Sequence, residues 1–171
     1  AFGGPLVAMR LAQRLFMHET PLAPLVAQVN ARLCDAATTL AQALAQPMTL
    51  LAPGLYAELL DGAKRRVVEG TLHPAPATWE LLSYAHGPFQ ESFTAPRALV
   101  VLAPNDAAAS TCRERLSTMA ERAGHSVLWL KAGHQAPWCW LEHEAVLTRA
   151  LLAAGVAWWL NGISRPGKRI V

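Results

Sequence analysis

The six residues Ala98-Leu99-Val100-Val101-Leu102-Ala103, closed by Pro104-Asn105, constrain this chain most. A run that is apolar at every position, too short for a helix and ended by a breaker, describes a strand buried on both faces. Strands of that kind belong to parallel sheets with helices on either side, because a half-exposed antiparallel strand alternates instead. Met48-Thr49-Leu50-Leu51-Ala52, ahead of Pro53-Gly54, and Ser126-Val127-Leu128-Trp129-Leu130 repeat the pattern.

Helical stretches separate these runs. One follows Pro53-Gly54 to about Val68, and Thr71-Leu72-His73 reads as a short strand after it. Thr78 opens a short helix through Tyr84. Asp106 can cap a helix over Ala107–Ala123, ended by Gly124, and a last long helix runs from about Trp140 to Leu160. Ahead of the first strand lie two helical lead-ins, Phe2–Phe16 and Pro21–Ala45, with Pro47 as the stop. The expected fold is α/β: a three-layer, doubly wound, Rossmann-like parallel sheet with two N-terminal lead-in helices. The expected division is 1–47 as lead-in and 48–171 as the domain, with 162–171 as its tail. Ligands of such sheets bind beyond the carboxyl ends of the strands, read here as Ala52-Pro53-Gly54, His73-Pro74, Ala103-Pro104-Asn105 and Lys131-Ala132-Gly133.

Composition narrows the class. The chain has 171 residues, 53% hydrophobic and 16% charged, so it can build a full core and leaves apolar surface for a partner. A net charge of +3, with no interleaving of aromatic and basic residues, points away from nucleic acid. The apolar stretch Ala150–Leu160 is too short to span a bilayer, and no charged segment precedes an apolar signal region. Cys34, Cys112 and Cys139 are odd in number and far apart, a poor disulfide framework that suits the cytoplasm. The chain begins at Ala1, without Met, in residues that already read as helix, as a fragment or trimmed protein would.

Several residues can carry chemistry. Gly54 lies where a strand feeds a helix, the usual anion site, although the turn lacks the hydroxyls of a phosphate cradle. In His86-Gly87-Pro88, Gly87 permits close backbone approach and Pro88 stiffens it, which holds an imidazole in a loop for proton transfer. The same His86 can instead end a helix by bonding a carbonyl. Glu69 can move a proton or merely close its helix, and Glu80 can do the same or serve the dipole of a first turn. His134, Cys139, Glu142 and His143 cluster without a zinc-type spacing, so neither metal nor other cofactor is expected. Trp138, Trp140, Trp158 and Trp159 suit core or subunit contacts. Lys168 is either a solvated basic terminus or an amine that reaches a carbonyl substrate.

Taken in order, these segments resemble the sugar-isomerase (SIS) domain family, specifically its second-half domains of the glucosamine-6-phosphate synthase type. The resemblance rests on Met48–Ala52, Gly54, the stretch Leu60-Asp61-Gly62-Ala63-Lys64-Arg65-Arg66-Val67-Val68-Glu69, then Ala85-His86-Gly87-Pro88, Val100–Asn105, Gly124–Leu130 and the ending Asn161–Val171. It covers about residues 48–171. It implies a phosphorylated-sugar ligand and aldose–ketose isomerisation, with or without ammonia transfer. In that chemistry His86 opens the ring, Glu69 shuttles the proton and Lys168 forms an imine with the ketose. Gly54, Gly87 and Arg65 would contact substrate. Strict alignment from Gly62-Ala63 places Val68, not Glu69, at the proton-shuttle position. The family's Ser/Thr-rich phosphate loop belongs to a first half that this chain lacks, so the implied partner is that half or a second copy. The alternative is a SIS module that senses or supports without catalysing.

Overall fold

A computed structural model of the chain describes residues 36–70, 74–105, 107–133 and 138–160, without the side chains of 92, 107–110, 138 and 156–160. All of them belong to the unit Leu33–Val171. After the helical turns α1 (36–43) come β1 (Met48–Ala52), a 3-10 turn (Gly54–Leu59) and α2 (Leu60–Gly70). There follow β2 (Ala77–Glu80), α3 (Leu81–Ala85), α4 (Pro88–Glu91), β3 (Ala98–Ala103), α5 (Ala107–Arg122), β4 (Ser126–Lys131) and α6 (Trp138–Leu160).

The four strands form one all-parallel sheet in the order β2-β1-β3-β4. The two most apolar runs, β1 and β3, take the centre, and every residue of both is buried, Thr49 of β1 included. Their mixed neighbours take the edges. This follows from solvation, since only an inner strand loses water on both faces.

One expectation needs correction. Thr78-Trp79-Glu80 does not open a helix; it is β2, with Leu50 opposite Thr78 and Leu51 opposite Trp79. Thr and Trp suit a pleated edge, and the helix waits for Leu81. The second strand therefore ends at Glu80 rather than at His73-Pro74. Thr71–His73, the first 35 residues, Asp106 and the tail after α6 lie outside the described residues. Gly124 does end α5: at φ +71° it leads into the bonds His125 N–H to Ala120 C=O (2.9 Å) and Gly124 N–H to Glu121 C=O (3.1 Å), the double closure that a left-handed glycine permits.

The helices cover both faces. Leu51, Leu99, Val101 and Ala103 pack with Leu81, Tyr84, Phe89, Leu116 and Ala120, which puts α3, α4 and α5 on one face. Alternation turns Leu50 and Val100 the other way. Right-handed crossovers in opposite directions put α2 on that second face. There α2 buries the stripe Leu60, Ala63 and Val67 and lies against α6 so closely that a Cβ on Gly70 would stand 2.9 Å from Leu151 Cδ2. The winding leaves β1 in one direction and β3 in the other, so the crevice between helices opens at the carboxyl ends of these two strands.

Candidate functional site at the strand carboxyl ends

Beyond Ala52 the chain turns at Gly54, whose φ of +53° is open to glycine at little cost. Its N–H donates to Glu80 Oε1 at 3.1 Å. Glu80 Oε2 accepts from the Ser83 N–H (2.8 Å) and the Ser83 hydroxyl (3.0 Å), and so caps α3. Partial burial pushes this carboxyl up, but the bonds from Ser83, Leu82 and Gly54 outweigh it and hold it below the usual range. One ionised carboxylate thus ties the loop after β1 to the start of α3.

Two residues on, Tyr56 Oη meets His143 Nδ1 at 2.9 Å, and His143 Nε2 meets the Leu130 carbonyl at 2.9 Å. A carbonyl can only accept, so Nε2 carries the proton and Nδ1 is the acceptor. The phenol must then donate to Nδ1. Burial presses the imidazole down to about 4, against the opposing pull of Leu130 C=O and Glu142, which leaves it neutral near pH 7. Burial also raises the phenol, as do Cys139, Glu142 and Glu144. The Cys139 thiol stands beside the same phenol and is itself raised by burial, which makes it a poor nucleophile. The rings of Trp140 and His143 stand edge-on to Tyr56, with centroids 5.5 and 5.7 Å away.

The ends of β3 and β4 are locked to α6 in the same way. Asn105 Nδ2 donates to the Gly133 carbonyl (3.2 Å), and the Gly133 N–H donates to Glu142 Oε2 (2.8 Å). On α6, Glu144 pairs with Arg66 of α2 at 2.6 Å. Burial raises the Glu144 carboxyl and Arg66 opposes it. The crevice rim is therefore polar, satisfied and preorganised, with Gly54, Tyr56, Glu80, Asn105 and Gly133 around it.

The residues singled out in the sequence are dispersed. His86 is exposed at the end of α3, where its N–H donates to the Ser83 carbonyl at 3.2 Å. Gly87 accepts from the Gln90 N–H (2.9 Å), and Pro88 starts α4. Glu69 is exposed one residue before the end of α2, on an outer groove with Asp61, Lys64, Arg65 and Val68. That helix runs back from the strand carboxyl ends on the face opposite α3, so the structure does not bring Glu69 or Arg65 together with His86. Lys168 and His134 lie outside the described residues. Among the described residues no three His, Cys, Asp or Glu side chains converge as metal ligands do. Sequence reasoning missed Tyr56 and the Arg66–Glu144 pair. Only the burial of Tyr56 within an otherwise polar or exposed turn distinguishes it, and burial is not written in local spacing.

No protein-family model matches the chain, and a comparison with curated proteins finds no match either.

Proposed function

We propose that the chain is a SIS-type domain that binds a phosphosugar or related carbohydrate derivative across the carboxyl ends of β1 and β3, as a binding or sensing module. The switch point between β1 and β3 carries this reading. It is where parallel sheets of this winding hold ligands, and the Gly54 turn, Asn105 and Gly133 stand at its rim. The motif order from Gly54 through His86-Gly87-Pro88 to Pro104-Asn105 supports the SIS assignment. The partner in this reading is a second copy or a first SIS half that supplies the phosphate loop. A cytoplasmic setting agrees with Cys112 and Cys139 being free thiols, and no helix among the described residues is long and apolar enough to cross a membrane.

One observation favours binding over isomerisation: Glu69 lies in solvent on the face away from His86. A proton shuttle needs hydrogen-bond reach to the substrate carbons that the ring-opening group also serves.

The test is thermal unfolding of the intact protein with glucose 6-phosphate, fructose 6-phosphate and glucosamine 6-phosphate. A ligand present at a hundredfold its Kd adds about 2.7 kcal/mol and raises Tm visibly. A dose-dependent rise with one of them, undiminished in Glu69→Gln, is expected. No shift with any sugar phosphate overturns the reading.

A further inference from the structure

The 3-10 turn Gly54–Leu59 leaves the carboxyl end of β1, beside the switch point, and its hold on the rest of the fold is slight. Tyr56 is its one buried side chain. Leu55 is 90% exposed and Leu59 40%, apolar surface that the fold leaves in solvent. The turn enters through Gly54 at φ +53°, where an added Cβ would meet nothing within 4 Å, so the glycine serves the backbone's freedom and not a tight fit. Among the described residues, two hydrogen bonds connect the turn to other elements: Gly54 N–H to Glu80 Oε1 at its root, and Tyr56 Oη–H to His143 Nδ1 farther out. Its other bonds are its own, Tyr56 N–H to Pro53 C=O and Leu60 N–H to Ala57 C=O.

Segments with few buried contacts open at much lower free energy than the sheet they border, and lids over binding sites are drawn from such segments. The latch residue here is better held than the strap it fastens. His143 is buried, its tautomer set by Leu130 on the far nitrogen, and it sits on a helix bonded to the strand ends through Glu142. Tyr56 can leave that acceptor while the acceptor stays in place.

We propose that Gly54–Leu59 is a lid over the crevice between β1 and β3, latched by the Tyr56–His143 bond and pinned at its hinge by Glu80. Opening uncovers the strand ends without disturbing the sheet, and closing returns Tyr56 to a preset acceptor. The device holds for any ligand of that crevice and does not depend on its being a sugar phosphate.

Amide hydrogen exchange of the full chain tests it. In the wild type, the Gly54, Tyr56 and Leu60 amides should exchange by a local opening that is insensitive to low urea, while amides of β1 and β3 exchange by a urea-sensitive one. Tyr56→Phe keeps the ring and removes the latch. It should speed exchange at these three amides by roughly fivefold to tenfold, the weight of one net hydrogen bond, and leave β1 and β3 unchanged. Urea-sensitive exchange of the turn matching that of β1 overturns the proposal, as does a Tyr56→Phe chain in which the turn exchanges no faster or the whole sheet accelerates equally.

Discussion

Tyr56 and His143 stand 87 residues apart in the chain and 2.9 Å apart in the fold, and their bond decides the state of both. With Nε2–H committed to Leu130, the imidazole offers Nδ1 only as an acceptor, and the phenol can only give.

The first consequence concerns acid. His143 titrates at about 4 in the folded chain against an ordinary 6.5, so the unfolded chain binds the extra proton first. The imidazole's contribution is complete above pH 6.5 and is lost as pH falls toward 4. The interval corresponds to about 3 kcal/mol. Urea unfolding at pH 7.5 and 4.5 should show the loss, and His143→Gln should flatten it. An unchanged slope in that variant shows that other groups carry the acid sensitivity.

Glu80 behaves in the opposite region. Its carboxyl is held below its usual range, so its contribution is present above that range and disappears as the group protonates in stronger acid. Glu80→Ala at neutral pH removes the α3 cap and the Gly54 tie and should cost about 1–2 kcal/mol, read as a lower urea midpoint at constant slope. Glu80→Gln, which keeps an acceptor oxygen, should cost less.

The Arg66–Glu144 pair joins α2 to α6. Arg66→Met leaves a mostly buried carboxylate uncompensated and should cost about 2 kcal/mol. Adding Glu144→Leu should recover most of it. A double-mutant cycle gives the coupling directly, and additive losses would mean that the two side chains do not share one interaction.

Tyr84 carries the reverse expectation. Its ring is buried edge-on to Phe89 at 5.8 Å, and its hydroxyl meets no hydrogen-bond partner. Tyr84→Phe should therefore be neutral or stabilising by up to about 1 kcal/mol. A marked fall in Tm would mean that the hydroxyl is bonded in solution.

The central strands were legible because double-sided burial leaves a local mark: Ala98–Ala103 admits no polar residue, and Met48–Ala52 admits only Thr49. The edge strand Ala77–Glu80 was not, since Thr78 resembles a helix cap until β1 is there to pair with it. The end of α5 at Gly124 was also readable, because a left-handed closure needs a particular residue type at one position.

The candidate site divides along the same line. His86-Gly87-Pro88 and the Pro53-Gly54 turn stand out in the sequence because glycine and proline act on their own backbone. Which side chains meet across the strand ends is a property of the winding. Tyr56 finds His143, and Arg66 finds Glu144, only once α2 and α6 share a face. Glu69 and His86 were paired only through the family resemblance, and the crossover sends their helices to opposite faces of the sheet. Local residue types determined the α/β class, the two inner strands and the turns, because they act over a few bonds. Tertiary structure alone decided the edge strand, the protonation of His143 and the residues at the rim, because these depend on burial and on contacts between segments far apart in the chain.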